Sequence, residues 1–132
     1  MTTIDDPQVA RLLREPNHAV ITTFLPNGSV HGTVVWVDVL DGRIALNTAV
    51  GRVWPNNLER DPRITLVVYD QANPYEYVEV RGRATGRTEG ADAHIDRLAK
   101  KYLGADTYPF RQEGEQRISY LVDAERIRHV KQ

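Results

Sequence analysis

Two short turn signals, Asn27-Gly28 and Asp41-Gly42, bracket a run over residues 30–40 that is rich in β-branched side chains. Dipeptides of this kind supply the backbone freedom that tight reversals need, so each marks a hairpin. Residues 18–25 before the first turn turn to Val, Ile, Thr and Phe, and residues 43–48 follow the second. The chain is therefore committed early to an antiparallel meander of three strands. A fourth strand is expected over 64–69, continuously apolar and central. Residues 75–87 then alternate: Val78, Val80, Gly82 and Ala84 point one way, Tyr77, Glu79, Arg81 and Arg83 the other. The first set is small and apolar, as a barrel interior requires. The second suits a ligand or subunit interface. A last strand covers 117–122, with a short extended tail at 126–130.

Three helices fit between these strands. Asp6-Pro7 reads as an N-cap with proline at the first helical position, Val9, Leu12 and Leu13 share one face, and Pro16 ends the element. Pro55 sits in the first turn of the second helix, where its missing N–H costs nothing, and Pro62 closes it. Thr88 is placed to cap the third, in which Ala91, Ile95, Leu98 and Tyr102 recur at helical spacing until Gly104. His94 falls opposite that stripe and is expected in solvent. Residues 105–116 form an irregular loop carrying Tyr108, Pro109 and Phe110. The sum is mainly β: one domain over 1–132, a small antiparallel barrel with short helices outside, closed so that its strands expose no edges.

Composition excludes several classes of function. Among 132 residues, 17 are basic and 18 acidic, a formal charge of −1, with the signs interleaved. A nucleic-acid binder would show a basic stripe. There is no cysteine, which removes disulfides, thiolate metal sites and a cysteine nucleophile. No apolar run reaches the length of a membrane span and the N-terminus lacks signal-peptide character, so a cytoplasmic location is expected. His18, His31, His94 and His129 are scattered, without the spacing of a metal site. His31, near a strand start, is a candidate to touch a ligand. Nucleotide-binding glycine loops and serine-hydrolase motifs are missing. Asp5/Asp6 and Glu113/Glu115 read as caps and loop solubilisers, so no catalytic side chain is assigned. One stretch remains: Gly51 and Arg52 ahead of the second helix make a seat for a phosphate, or equally a structural turn with a solvated arginine. A chain so poor in acid and base groups is still able to act as an enzyme when a cofactor carries the reaction.

Several segments together resemble a known family. Ala19-Val20-Ile21-Thr22-Thr23 with Pro26-Asn27-Gly28-Ser29-Val30-His31, Val35-Trp36-Val37, Asn57-Leu58-Glu59-Arg60-Asp61-Pro62-Arg63-Ile64, Val78-Glu79-Val80-Arg81-Gly82-Arg83-Ala84 and Lys101-Tyr102-Leu103-Gly104 are similar to the split β-barrel flavin and deazaflavin oxidoreductases related to pyridoxamine 5′-phosphate oxidase. The likeness is strongest to the coenzyme F-420-dependent branch and runs nearly the whole chain. It implies an FMN-binding-like, Greek-key-type split barrel that pairs into a homodimer, with the cofactor in the cleft between subunits and a hydride passed to a small conjugated acceptor. By position it implies Gly51, Arg52 and Val53 at the phosphate-bearing tail, with Trp54 and Asn57 of the following helix also among the cofactor-binding residues. Asn47 and Thr48 would lie beside the ring, and Thr22, Thr23, His31 and Thr33 near the pocket or its rim. Tyr75 and Tyr77 are candidates for the substrate pocket, although Tyr77 fits the dimer interface better. Two other readings stay open: an FMN oxidase or flavin reductase on the same fold, and a non-catalytic F-420 binder or carrier.

One departure bears on the cofactor. The family usually carries a lysine three residues before the Asn-Leu pair, and here that position is Trp54. An indole offers one neutral N–H and cannot replace an ammonium against a phosphate dianion. The terminal phosphate of FMN carries nearly two charges and the phosphodiester of F-420 one, so the loss weighs more heavily against FMN. Trp54 is then free to pack on the cofactor, on a partner chain, or simply over the core.

Overall fold

The computed structural model describes residues 1–132. Ten elements follow in order: α1 (Pro7–Arg14), β1 (Ala19–Phe24), β2 (Val30–Val35), β3 (Asp38–Leu40), β4 (Arg43–Ala49), α2 (Val53–Arg60), β5 (Arg63–Tyr69), β6 (Tyr77–Arg87), α3 (Ala91–Leu103) and β7 (Arg117–Val130). All seven strands join one antiparallel sheet in the order β2-β1-β5-β6-β7-β4-β3. The two turn signals behave differently. Asp41 and Gly42 both take positive φ, 54° and 73°, as a two-residue hairpin demands. At the other, Gly28 alone is left-handed (φ 87°), and Asn27 Oδ1 accepts from the Ser29 backbone and hydroxyl. A longer loop results.

The run over 30–40 is not one strand. It breaks at Trp36–Val37, and its halves lie at opposite ends of the sheet order, β2 beside β1 and β3 beside β4. The sheet thus closes through the covalent chain instead of a continuous ladder, which corrects the expectation of a barrel without edges. Val37 is fully buried at the break, where its backbone needs partners that no strand provides. The C-terminal turn of α3 supplies them. The Tyr102 hydroxyl accepts from Val37 N at 3.0 Å and donates to Asn17 O at 2.6 Å. Lys101 Nζ donates to the carbonyls of Val37 (2.7 Å) and Leu13 (2.5 Å). Burial pulls the Lys101 ammonium down to about 8 and pushes the Tyr102 phenol up to about 12.

Other expectations change in smaller ways. The last strand and the tail form a single 14-residue β7, because β6 pairs with it throughout. A bulge between Arg81 and Gly82 absorbs the twist. Gly82 is required there, since a Cβ would stand 2.2 Å from Asp123 O. The N-cap of α3 is Gly90, in the left-handed region, not Thr88. Asp6 bonds back to Thr3 and gives α1 no side-chain cap. His94 is buried, 4% exposed, against the expectation of a solvated ring. The core fills as the patterns demand: Val9, Leu12 and Leu13 from α1 meet Ile21, Ile44, Leu46, Leu66, Val68, Val78 and Val80. No helix is long and apolar enough to cross a membrane.

Replacing Tyr102 with phenylalanine keeps the ring but strands Val37 N–H and the Asn17 carbonyl. Each buried group left unpaired costs about 1–3 kcal/mol. Urea unfolding of Tyr102→Phe should show a stability loss of about 2–6 kcal/mol for the two groups together, with an unchanged m-value, and an unaltered midpoint would contradict this role.

Candidate functional site

A cavity of about 390 Å³ opens beside the break, between the end of β2 on one side and β4, α3 and the start of β7 on the other. That size suits a small-molecule site. Its walls come from distant parts of the chain: Thr33, Val34, Val35 and Trp36 from the β2 side, Asn47 and Thr48 from β4, Arg52 and Trp54 at the start of α2, and Ile95 and Leu98 from α3. The 105–116 loop adds Tyr108 and Phe110, and β7 adds Arg117.

The aromatic wall is built outward from α3. Trp36 stacks on Tyr102 with ring centroids 5.1 Å apart and planes 6° from parallel. Tyr108 meets Trp36 edge-on at 6.2 Å and Phe110 in the same manner at 5.7 Å. Such offset and edge arrangements favour the quadrupoles of the rings. Opposite, Trp54 is nearly buried and packs on Tyr120 at 5.6 Å, so it serves the core and the cavity together. The Tyr120 hydroxyl is occupied by Glu59 Oε1 at 2.6 Å.

Beneath the cavity lies a hydrogen-bonded polar group. Asn47 Oδ1 accepts from Arg117 Nε at 2.9 Å, which orients its amide nitrogen toward Ala91 O (2.9 Å) and His94 Nδ1 (3.3 Å). Ser119 Oγ lies 2.7 Å from the same His94 nitrogen. With two donors converging on Nδ1, the imidazole proton belongs on Nε2, an atom with no partner. Burial pulls the His94 pKa down to about 4; nearby Asp38 opposes the shift, while Arg97, Arg87 and Arg117 reinforce it. His94 is thus a neutral strut that fixes Asn47. Arg117 is itself only 4% exposed. Its Nη1 pairs with Glu115, and its guanidinium lies 5.1 Å from the centre of the Tyr108 ring. Glu115 is therefore a buried partner and not a loop solubiliser.

Of the residues singled out in the sequence, Thr33, Asn47, Thr48, Arg52 and Trp54 come together on this cavity. Gly51 shapes the approach with φ 98°, and Val53 opens α2 half-exposed; neither lines the wall. Asn57 is buried and donates to Thr23 Oγ1 at 3.0 Å, tying α2 to β1. His31 bonds to Thr33 Oγ1 at 3.2 Å and stands behind it. Thr22 faces outward from β1, beside Gly32 and Thr65. Tyr75 is 68% exposed on the β5–β6 connection, and Tyr77 pairs with Tyr69 and Val130 at the start of β6. Neither tyrosine reaches the cavity lining. Arg117, Trp36 and His18 line it without having been singled out for that role. Only the pairing of Arg117 with Ala49, which sets the start of β7 beside the Arg52 turn, reveals the first of them.

The sequence matches the pyridoxamine 5′-phosphate oxidase family over residues 5–131, and the chain belongs to that family of split-barrel oxidoreductases. A search of the curated proteins found no match. Among solved structures, the fold is similar to an F-420 reductase, with a TM-score of 0.78 at 22% identity over 89% of this chain and 94% of the other. It is also similar to a conserved hypothetical protein of Mycobacterium tuberculosis (TM-score 0.77, 23% identity, 98% and 86% covered). General Stress Protein 26 of Bacillus anthracis shares it as well (TM-score 0.67, 13% identity, 93% and 91%).

The strut has a pH signature. His94 in the fold titrates at about 4, below the ordinary 6.5, so the unfolded chain takes up its proton first. Stabilisation complete above pH 6.5 is lost as the pH falls toward 4, at up to about 1.4 kcal/mol per pH unit. Unfolding free energies measured across that window should fall less steeply in His94→Gln. Parallel profiles would remove His94 from the acid response.

Proposed function

We propose that this chain binds coenzyme F-420 in the cavity beside the β2–β3 break and acts as an oxidoreductase on a small conjugated acceptor. The observation that carries the reading is the convergence of Thr33, Asn47, Thr48, Arg52 and Trp54 with an aromatic wall on one cavity. Family membership supports an oxidoreductase, and the likeness to an F-420 reductase agrees with a deazaflavin.

The donor set fits such a group. A planar ring needs flat apolar walls with few polar contacts, which Trp36, Ile95, Leu98 and Val35 offer alongside the amide of Asn47 and the hydroxyls of Thr33 and Thr48. An anionic tail needs a cation and free N–H groups. Arg52 makes no ion pair or side-chain hydrogen bond of its own, and it caps α2, whose first N–H groups have no helical partner. When bound, reduced F-420 supplies the hydride. The protein's part is to orient the ring against the acceptor and to exclude water. Asn47 is held for that purpose by His94, Ser119 and Arg117. A proton would come from solvent or from Tyr108, a lining residue whose hydroxyl makes no hydrogen bond; those of Tyr102 and Tyr120 are already engaged.

A second copy of the chain completes the site in this reading. Val20, Val34 and Val30 are exposed by 37%, 63% and 60% on the outward side of β1 and β2. Val34 also edges the cavity, so a partner covering this face would wall the cleft.

Titration of the purified protein with F-420, followed by the cofactor's fluorescence, tests the reading. Binding at micromolar concentration is expected. Arg52→Ala should weaken it at least tenfold, from the roughly 1.5–3 kcal/mol of a charge-assisted contact. FMN bound in preference to F-420, or an unaffected Arg52→Ala, would count against it.

A further inference from the structure

The cavity holds a second guanidinium, Arg117, beside that of Arg52. Arg117 opens β7 opposite Ala49, and Val50 N donates to Gln116 O at 2.8 Å. These bonds set residues 115–117 alongside the turn that carries Arg52. Both arginines line the cavity. Arg117 is almost wholly buried, its Nε is taken by Asn47 and its Nη1 by Glu115, and its Nη2 makes no hydrogen bond within the protein. A buried guanidinium on a cavity-lining residue, with one nitrogen unbonded, is a donor that a bound acceptor would satisfy.

The third charge is Glu115. Its side chain is 6% exposed, and its Oε2 accepts from Gln112 N at 2.8 Å. Burial pushes this carboxyl up, but the hydrogen bonds from Gln112 and Arg117 and the charges of Arg117 and Arg52 outweigh that, so it sits below the ordinary glutamate range. It is ionised at neutral pH. The trio Arg52, Arg117 and Glu115 then sums to one positive charge, with Arg117 and the Glu115 side chain buried and Arg52 exposed.

We infer that Arg117 is the inner half of a two-arginine anion seat and that Glu115 sets the charge of that seat, so that it accepts a singly charged phosphodiester and disfavours a phosphate monoester dianion. The inference deepens the proposed function and rests on it. A monoanion neutralises the trio. A dianion leaves an excess charge beside the Glu115 carboxylate. Arg117 thereby offsets the absence of a lysine at position 54, from a strand remote in sequence.

The test compares what the phosphate contributes to affinity at pH 8. Two ratios of dissociation constants report it: riboflavin against FMN, and the F-420 chromophore without its tail against F-420 trimmed of its glutamates. In the unaltered protein the F-420 ratio should exceed the FMN ratio. Glu115→Gln should raise the FMN ratio at least tenfold while changing the F-420 ratio less than threefold. Adding Arg117→Gln to Glu115→Gln, which removes both charges of the buried pair and so protects folding, should lower both ratios about tenfold from the single variant. An FMN ratio indifferent to Glu115→Gln, or ratios indifferent to Arg117, would overturn the seat. If neither cofactor binds, the proposed function falls and inorganic phosphate becomes the probe. The seat then predicts a larger rise in melting temperature with phosphate, over chloride at equal ionic strength, at pH 6 than at pH 8, and the reverse in Glu115→Gln. Phosphate effects identical in the two proteins would end the proposal.

Discussion

The backbone of one residue, Val37, governs the architecture. A strand that serves both ends of a sheet must leave its ladder somewhere, and the groups freed there are buried and need partners. Tyr102 and Lys101 provide them from α3, and the same two side chains hold the ends of α1 and its connection through Leu13 and Asn17. The helix is therefore a clamp on the break as well as a cover for the core. Because the clamp satisfies the break without a β2–β4 ladder, a gap stays open between those strands. The cavity occupies that gap.

The clamp and the cavity share parts. Tyr102 holds Val37 with its hydroxyl and carries Trp36 on its ring, and Trp36 in turn meets Tyr108. Leu98 and Ile95, one and two turns earlier on α3, face the same space. On the far side, Asn47 is fixed by His94, Ser119 and Arg117 rather than by solvent. The walls are thus set before any ligand arrives, as the proposed positioning of a ring requires. Few acid or base groups reach the space, in keeping with chemistry carried by a cofactor. The charges that do reach it are Arg52 and Arg117, and Glu115 pairs with Arg117 where the end of β4 meets the start of β7.

Much of this could be read from residue order alone. The β-branched runs, the Asp41-Gly42 turn, the alternation through Val78, Val80, Gly82 and Ala84, and the proline-bounded second helix are local patterns, and local patterns specify local structure. The break at Trp36–Val37 was hidden because both halves have the same strand composition; only long-range pairing divides them. His94 was placed in solvent because helical periodicity ranks residues by hydropathy and cannot register a buried imidazole whose bonds come from Asn47 and Ser119. Glu115 reads as a loop solubiliser and Arg117 as an ordinary strand start for a related reason: charged residues at a loop edge look solvated until the β4–β7 pairing buries them. Residues brought to the cavity by neighbouring sequence, such as Asn47, Thr48 and Arg52, were recognisable. Of those delivered by distant strands, Thr33 was recognisable only through the family resemblance, and Arg117 was not.

The account depends on where the anionic tail of a bound ring comes to rest. A crystal structure of the protein grown with F-420 measures that directly. The account predicts the ring between Trp36 and the Asn47–Thr48 strand, with its phosphodiester within hydrogen-bond distance of both Arg52 and Arg117. A phosphodiester that touches neither arginine, or a ring bound outside the gap between β2 and β4, would contradict it.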